Sequence, residues 1–432
     1  MTGDPIATIL LLGGFAVLLL LKVPIALGLV VSTLAATFWL GIPLPVVGQR
    51  MIQGLASFPL LAIPFFILAG EIMGAGGISR RLIQFANVLI GWVRGGLAML
   101  NIVASTFFGG ISGSAVADTS SIGSVMIPMM KKAGYDTDYS VGVTVSSAAQ
   151  GVLLPPSHNM IIYALVAGSS VSIGGLFAAG IAPGLLLGLV LLLVSYLIAR
   201  KRDYPKGDAV PMREVPLIMW QALLGLLTPI IIIGGILTGI FTATEAAAIA
   251  CVWAFLVTFV AYREIPLRSF ISILARSMRT LATVLFLIAA ASAFGHLLTI
   301  QRIPADVTAL LTGLSDNPII ILLIINLMLL GLGAIMDMAP LILITTPILL
   351  PVAVGVGMDP TQFGVMLMLN LSLGLITPPV GSVLFVGAAI GELTIEQTTK
   401  GVLPFYLPML VALLMITFIP AISLTIPNLL GF

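Results

Sequence analysis

Charge is what this sequence has least of. Of its 432 residues 8% are Asp, Glu, Lys or Arg and 59% are hydrophobic, where a soluble chain carries roughly 25% charged residues. A water-solvated fold is excluded, and lipid is the solvent. Cysteine occurs once, as Cys251 in an apolar stretch, and histidine twice, as His158 and His296; a disulfide framework and a thiol metal site are excluded. No G-x-x-x-x-G-K-[ST] phosphate loop occurs, so ATP is not the direct energy source. No connection is long enough to hold a soluble module, and nothing points to nucleic acid. The acidic start and the lack of a small-residue cleavage site argue against a cleavable signal peptide.

Long apolar runs fill the remainder, from Ile6–Leu21 to Leu403–Leu424. A hydrocarbon core of about 30 Å takes about 20 helical residues, so ten to twelve spans are expected, some of them broken. The runs lack period-2 alternation, which selects helices over a barrel. The densest Lys and Arg cluster, Arg200-Lys201-Arg202, Lys206 and Arg213, assigns the connection at 200–213 to the cytoplasm. Leu44–Phe58 and Ile265–Thr280 mix Arg, Gln and Ser with apolar residues, as helices lying in the membrane interface do. Thr242 and Glu245 stand at capping-box spacing.

The chain is also duplicated. Gly13-Gly14 recurs as Gly234-Gly235, Pro45 as Pro266, Gly180 and Pro183 as Gly401 and Pro404, Asp118 and Pro128 as Asp337 and Pro347, and Pro155-Pro156 as Pro378-Pro379. Apolar residues align by chance; glycines, diprolines and intramembrane aspartates in one order do not. Two repeats are therefore expected, 1–213 and 214–432, each with a helical hairpin (about 107–133 and 333–357) and a broken helix (about 138–168 and 361–391). Halves with matched breaks mark a transporter whose site lies between them.

Two polar concentrations in each half carry the chemistry. Gly109 to Gly123 is small and hydroxyl-rich, and it holds one carboxylate, Asp118. An aspartate near the bilayer centre costs roughly 2.5–3.5 kcal/mol on insertion scales. Lys131-Lys132 bring the chain back to a surface, so Ser112, Gly113, Ser114 and Asp118 belong near the tip of a re-entrant hairpin. Helix packing through Gly109…Gly113 explains the glycines but not the aspartate. Next come Leu154-Pro155-Pro156-Ser157-His158-Asn159. Two prolines remove two amide donors and break the helix, leaving carbonyls that a hard cation such as Na⁺ would satisfy. Gly333 and Asp337 form the second hairpin region, and Thr377, Pro378, Pro379 and Gly381 the second break. Na⁺ is expected at the two hairpin–break pairs as coupling ion, with no other cofactor. Half-helix amino termini attract an anion between them. His158 adjoins the break and is a possible proton carrier; His296, like Cys251, reads as packing.

GGISGSAVADTSSIGSVMIPMMKKAGY, the LLPPS break, GIFTATEAAAIA, GAIMDMAPLILITTPILLP and GLITPPVG resemble the large membrane subunit of tripartite ATP-independent periplasmic (TRAP) transporters. The similarity runs over essentially the whole chain. It implies an all-α polytopic membrane protein of the ion transporter superfamily: two inverted repeats, re-entrant hairpins, broken helices and a sodium-driven elevator in the bacterial inner membrane. It also implies two partners, a separate small four-helix membrane subunit and a periplasmic substrate-binding protein. The implied cargo is an organic acid such as sialic acid or a C4-dicarboxylate. Two rivals remain at this point: a sodium/proton antiporter using Asp118 and Asp337, and an intramembrane serine protease reading of Gly110-Ile111-Ser112-Gly113.

Overall fold

The computed structural model describes residues 3–207 and 210–432; positions 208 and 209 of the basic connection lie outside the described residues. Among the described residues the regular elements are helices. In the first half, α1 (Pro5–Leu20) and α2 (Ile25–Trp39) precede a short amphipathic α3 (Pro45–Leu55), α4 (Phe58–Ala75) and α5 (Ile78–Ile90). Then come α6 (Gly96–Ser112), α7 (Ala115–Ser121), α8 (Gly123–Lys132), α9 (Thr137–Gly151), α10 (His158–Ala167) and α11 (Ile173–Lys201).

The second half runs α12 (Val215–Leu237), α13 (Ala243–Tyr262), α14 (Ser269–Ile300), α15 (Ile303–Leu314), α16 (Pro318–Gly333), α17 (Met338–Gly355), α18 (Pro360–Leu375), α19 (Ser382–Gly391) and α20 (Ile395–Phe418). A last helix, α21 (Pro420–Leu429), follows. Among the described residues seven helices are long and apolar enough to cross a membrane alone. The expected ten to twelve spans exceed this because α9, α10, α18 and α19 are halves of broken helices and α1 and α2 fall among the shorter apolar helices; one of the seven, α17, is a hairpin arm.

The hairpins are longer than the polar tracts suggested. Their first arms begin at Gly96 and Pro318, because these arms are apolar and carry no marker of the turn ahead. Asn101 reaches Met130 across the first hairpin (3.9 Å), so its arms run antiparallel. The second amphipathic stretch, Ile265–Thr280, is not a separate surface helix; from Ser269 it runs into the 32-residue α14. Its counterpart in the first half is interrupted at Ala56–Ser57, just before Pro59. Proline removes an amide donor there, and no proline occurs between Pro266 and Pro304.

The 29 residues of α11 span about 44 Å at 1.5 Å per residue, so its ends mark the two faces. At its carboxyl end the base of the first hairpin is strapped to the chain: Gly95 N donates to Pro205 O (3.0 Å), Arg94 pairs with Asp203 (2.6 Å) and Arg202 with Asp136 (2.7 Å). The Tyr204 hydroxyl and then the Arg202 guanidinium hold the Asp136 carboxyl below the usual carboxylate range. At the other end of α11, the Tyr163 hydroxyl donates to Pro360 O at the base of the second hairpin (2.5 Å). The two hairpins thus enter from opposite faces, and the repeats are inverted. Followed along the chain, every Lys and Arg except Arg50 and Arg302 falls toward the face of Arg200–Arg202. On that face Arg81 is held between Glu264 (2.8 Å) and the Tyr262 ring (3.6 Å to its centroid).

The capping box is present: Thr242 Oγ1 accepts from Glu245 N (3.3 Å) and the Glu245 carboxylate accepts from Thr242 N (2.8 Å). Thr242→Ala is expected to cost about 1 kcal/mol. A lowered thermal unfolding midpoint with unchanged transport is the expected observation.

Candidate functional site

The helices α9 and α18 stop where the diprolines demand it. In the first break Leu153 N and Leu154 N still donate back to Gln150 O and Gly151 O (3.0 and 3.3 Å); Pro155 and Pro156 have no amide to donate. The chain resumes as α10 with Ser157 as its N-cap residue. The second break repeats this: Ile376 N and Thr377 N donate to Leu373 O and Gly374 O (3.3 and 2.9 Å), and α19 starts after Gly381. Both diproline bonds are cis.

Each hairpin tip lies on its own break. Gly113 turns the first tip with φ +58°, and a Cβ there would stand 2.6 Å from Pro156 O and 2.7 Å from Ser157 Cα. Only glycine meets both demands. Ser112 ends α6, and Ser114 caps α7 by accepting from Ala117 N (3.3 Å). In the second half Val380 N donates to Ala334 O (3.0 Å), and the Ser382 hydroxyl lies 3.5 Å from Asp337 Oδ1. Each tip thus contacts the break of its own half. Asn159 Nδ2 also reaches Met338 Sδ (3.4 Å), linking the first break to the second hairpin.

The two aspartates are not equivalent, although their sequence spacing pairs them. Asp118 lies one turn inside α7 and is fully buried; its Oδ1 accepts from Ser105 (3.2 Å), while Oδ2 has no partner. Ser147 of α9 continues this chain to Ser105 (3.2 Å). Asp337 is the N-cap residue of α17 and is exposed. Its positional counterpart is Ser114, the N-cap residue of α7. Hairpins tolerate length changes at the tip, so one spacing does not hold across them. Buried oxygens without a partner occur on the first hairpin, Asp118 Oδ2 and Thr119 Oγ1, and on its break, Ser157 Oγ and Asn159 Oδ1. Native structures leave few such atoms unpaired, and an all-oxygen set suits a hard cation.

Two features escaped the sequence reading. The arm α6 crosses α9 at Gly109 and Gly151, where a Cβ on Gly109 would be 2.3 Å from Gly151 Cα. The arm α16 crosses α18 at Gly333 and Gly374, where a Cβ on Gly374 would be 2.5 Å from Gly333 Cα. The Gly151–Gly374 displacement equals that of the diprolines and the Gly109–Gly333 displacement differs from it by a single residue, a signal a finer alignment of the halves would have shown. Polar bridges reinforce each crossing, Ser147–Ser105 in one half and Asn370 Nδ2 to Asn326 Oδ1 (2.9 Å) in the other.

The second feature is a cavity of about 720 Å³ between the tips. Ser112, Ser114, His158 and Asn159 line it from the first half and Asp337 and Met338 from the second. Glu71 of α4 and Arg276 and Thr280 of α14 form its opposite wall. It extends from the tips toward the Lys- and Arg-rich face, since Glu71 lies near the end of α4 and Arg276 near the start of α14 on that side. His296 and Cys251 are not among its lining residues.

Two helical hairpins from opposite faces, meeting two broken helices around one cavity, define a secondary transporter of the inverted-repeat class. The profile described as "Tripartite ATP-independent periplasmic transporter, DctM component" matches residues 12–422, and the chain belongs to that family. The sialic acid TRAP transporter large permease protein SiaM of Vibrio cholerae is 41% identical over 381 residues, covering 88% of this chain and 89% of that protein. The C4-dicarboxylate TRAP transporter large permease protein DctM of Pseudomonas aeruginosa is 41% identical over 382 residues, with the same coverage of 88% and 89%. The fold is shared with the Alcanivorax borkumensis YdaH transporter (TM-score 0.63, 16% identity, 90% of both chains). These relatives are permeases, so the chain is a multi-pass membrane transporter subunit and not a protease.

Proposed function

We propose that the chain performs Na⁺-coupled uptake of an organic acid across the bacterial inner membrane by an elevator movement. The observation carrying this reading is the matched pair of tip–break contacts around one cavity, with unpartnered buried oxygens on the first hairpin and its break. Na⁺ binds at the two hairpin–break pairs: Ser112, Gly113, Ser114 and Asp118 with Leu154, Pro155, Pro156, Ser157 and Asn159 in one half, and Gly333 and Asp337 with Thr377, Pro378, Pro379 and Gly381 in the other. The cargo sits between the tips, where the half-helices α10 and α19 point their amino termini inward. The hairpins, broken helices, α11 and α20 slide as one body against α1–α4 and α12–α14. By the positive-inside rule the Lys- and Arg-rich face is cytoplasmic, so the cavity is that of an inward-facing state. A small membrane subunit and a periplasmic binding protein complete the system.

The energetics support more than one ion. At about 100 mV each Na⁺ supplies roughly 2.3 kcal/mol, and a tenfold gradient adds about 1.4. Two ions yield about 7 kcal/mol, and a monoanion moving inward opposes with about 2.3. The ~5 kcal/mol left sustains accumulation of roughly 10³–10⁴-fold, where one ion would sustain only about tenfold.

The test is reconstitution with the small subunit and the binding protein in proteoliposomes, using labelled N-acetylneuraminate and succinate as probe anions. Uptake of either one that collapses when external Na⁺ is replaced by K⁺ is expected. Uptake driven equally well by a proton gradient without Na⁺ would overturn sodium coupling.

A further inference from the structure

We infer that Arg276 is the receptor for an anionic group of the cargo on its way from the hairpin tips to the cytoplasm, with Glu71 as the counter-charge that orients the guanidinium and promotes release. This rests on the transport reading above and names the residues of its exit step.

Both side chains belong to the frame, Arg276 to α14 and Glu71 to α4, and both line the cavity. Their contact is partial. Among the described residues only Nε of the guanidinium is engaged, 3.4 Å from Glu71 Oε2, and the side chains are 52% and 35% exposed. The two terminal nitrogens are left free to face an incoming group. A guanidinium fork matches a carboxylate through two parallel hydrogen bonds, which an ammonium cannot reproduce. Thr280 stands one helical turn nearer the tips and lines the same wall. A carboxylate leaving Ser112 and Ser114 therefore meets Thr280 and then Arg276.

Glu71 makes this station weak. Its carboxylate competes with the cargo for one guanidinium, and the pair re-forms once the anion departs. A structural tie between α4 and α14 would call for a closer, drier pair; the exposed single contact contributes little to holding them together. The frame stays fixed while the hairpins move, so Arg276 is offered to the cargo only in the inward-facing state.

The experiment reads inhibition of net uptake by the same anion loaded inside the proteoliposomes described above. In Glu71→Gln the anion should stay longer at Arg276. The internal concentration that halves uptake is expected to fall roughly twofold to fivefold, and maximal uptake is expected to fall with it. Arg276→Gln should lower uptake about tenfold, and Arg276→Lys should recover only part of it. Thermal unfolding midpoints equal to wild type would set folding aside for each variant. Should Arg276→Gln fail to fold, Glu71→Gln alone decides. Unchanged internal inhibition in Glu71→Gln, with normal wild-type uptake, overturns the assignment and leaves the transport reading standing. Absence of Na⁺-driven uptake in wild type overturns both.

Discussion

Gly374→Ala is expected to destabilise the protein by about 1–3 kcal/mol and to abolish Na⁺-driven uptake. The added Cβ would lie 2.5 Å from Gly333 Cα, where the neighbour is backbone and has no rotamer to change. The helices α16 and α18 must then separate by about 1 Å to restore ordinary contact. That separation pulls the Asp337 tip off the Pro378-Pro379 break, so the site fails even where the fold survives. Gly109→Ala, 2.3 Å from Gly151 Cα, should do the same in the first half. Gly295→Ala is the control: nothing lies within 4 Å of its Cβ position, and a change within about 0.5 kcal/mol is expected. Thermal unfolding in detergent and proteoliposome uptake read both effects. Wild-type behaviour of Gly374→Ala would mean the crossing is looser than the structure gives it.

Sodium, but neither potassium nor choline at equal concentration, is expected to raise the unfolding midpoint of the purified protein. A ligand bound only to the folded state stabilises it by about 2.7 kcal/mol at 100 times its dissociation constant. Asp118→Asn and Asp337→Asn should each weaken the rise. Asparagine keeps the shape at position 118 and the contact with Ser105 while removing the charge a cation requires. The mechanism of loss differs: Asp118 is buried between α6 and α9 with one oxygen unpaired, whereas Asp337 is exposed at its tip. A wild-type protein indifferent to sodium, even with the small subunit present, would remove the ion-site reading and leave proton coupling in its place.

Much of the site was legible because its markers are residues with strong local rules. Prolines lack an amide donor, so Pro155-Pro156 and Pro378-Pro379 located both breaks to the residue. Hydroxyls and a carboxylate in an apolar chain located Ser112–Asp118 near a tip. Less was legible where apolar residues decide. The first arms at Gly96 and Pro318 look like any other span. The pairing of Asp118 with Asp337 misled, since their spacing is right for the repeat and wrong for the tips. Arg276 falls inside the stretch Ile265–Thr280 that read as interfacial, because nothing local tells a cavity wall from an interface.

The sequence by itself determined the solvent, the helical class, the duplication and the places where helices break. Each of these follows from composition or from what one residue does to its own backbone. Only the tertiary structure decided which tip meets which break, that Gly109 faces Gly151 and Gly333 faces Gly374, and that Arg276 and Glu71 share a cavity with both tips. Those facts depend on how helices far apart in the chain approach one another. In a membrane that approach is set by close packing of small residues and by polar partners across the contact, and neither is written in any one stretch of chain.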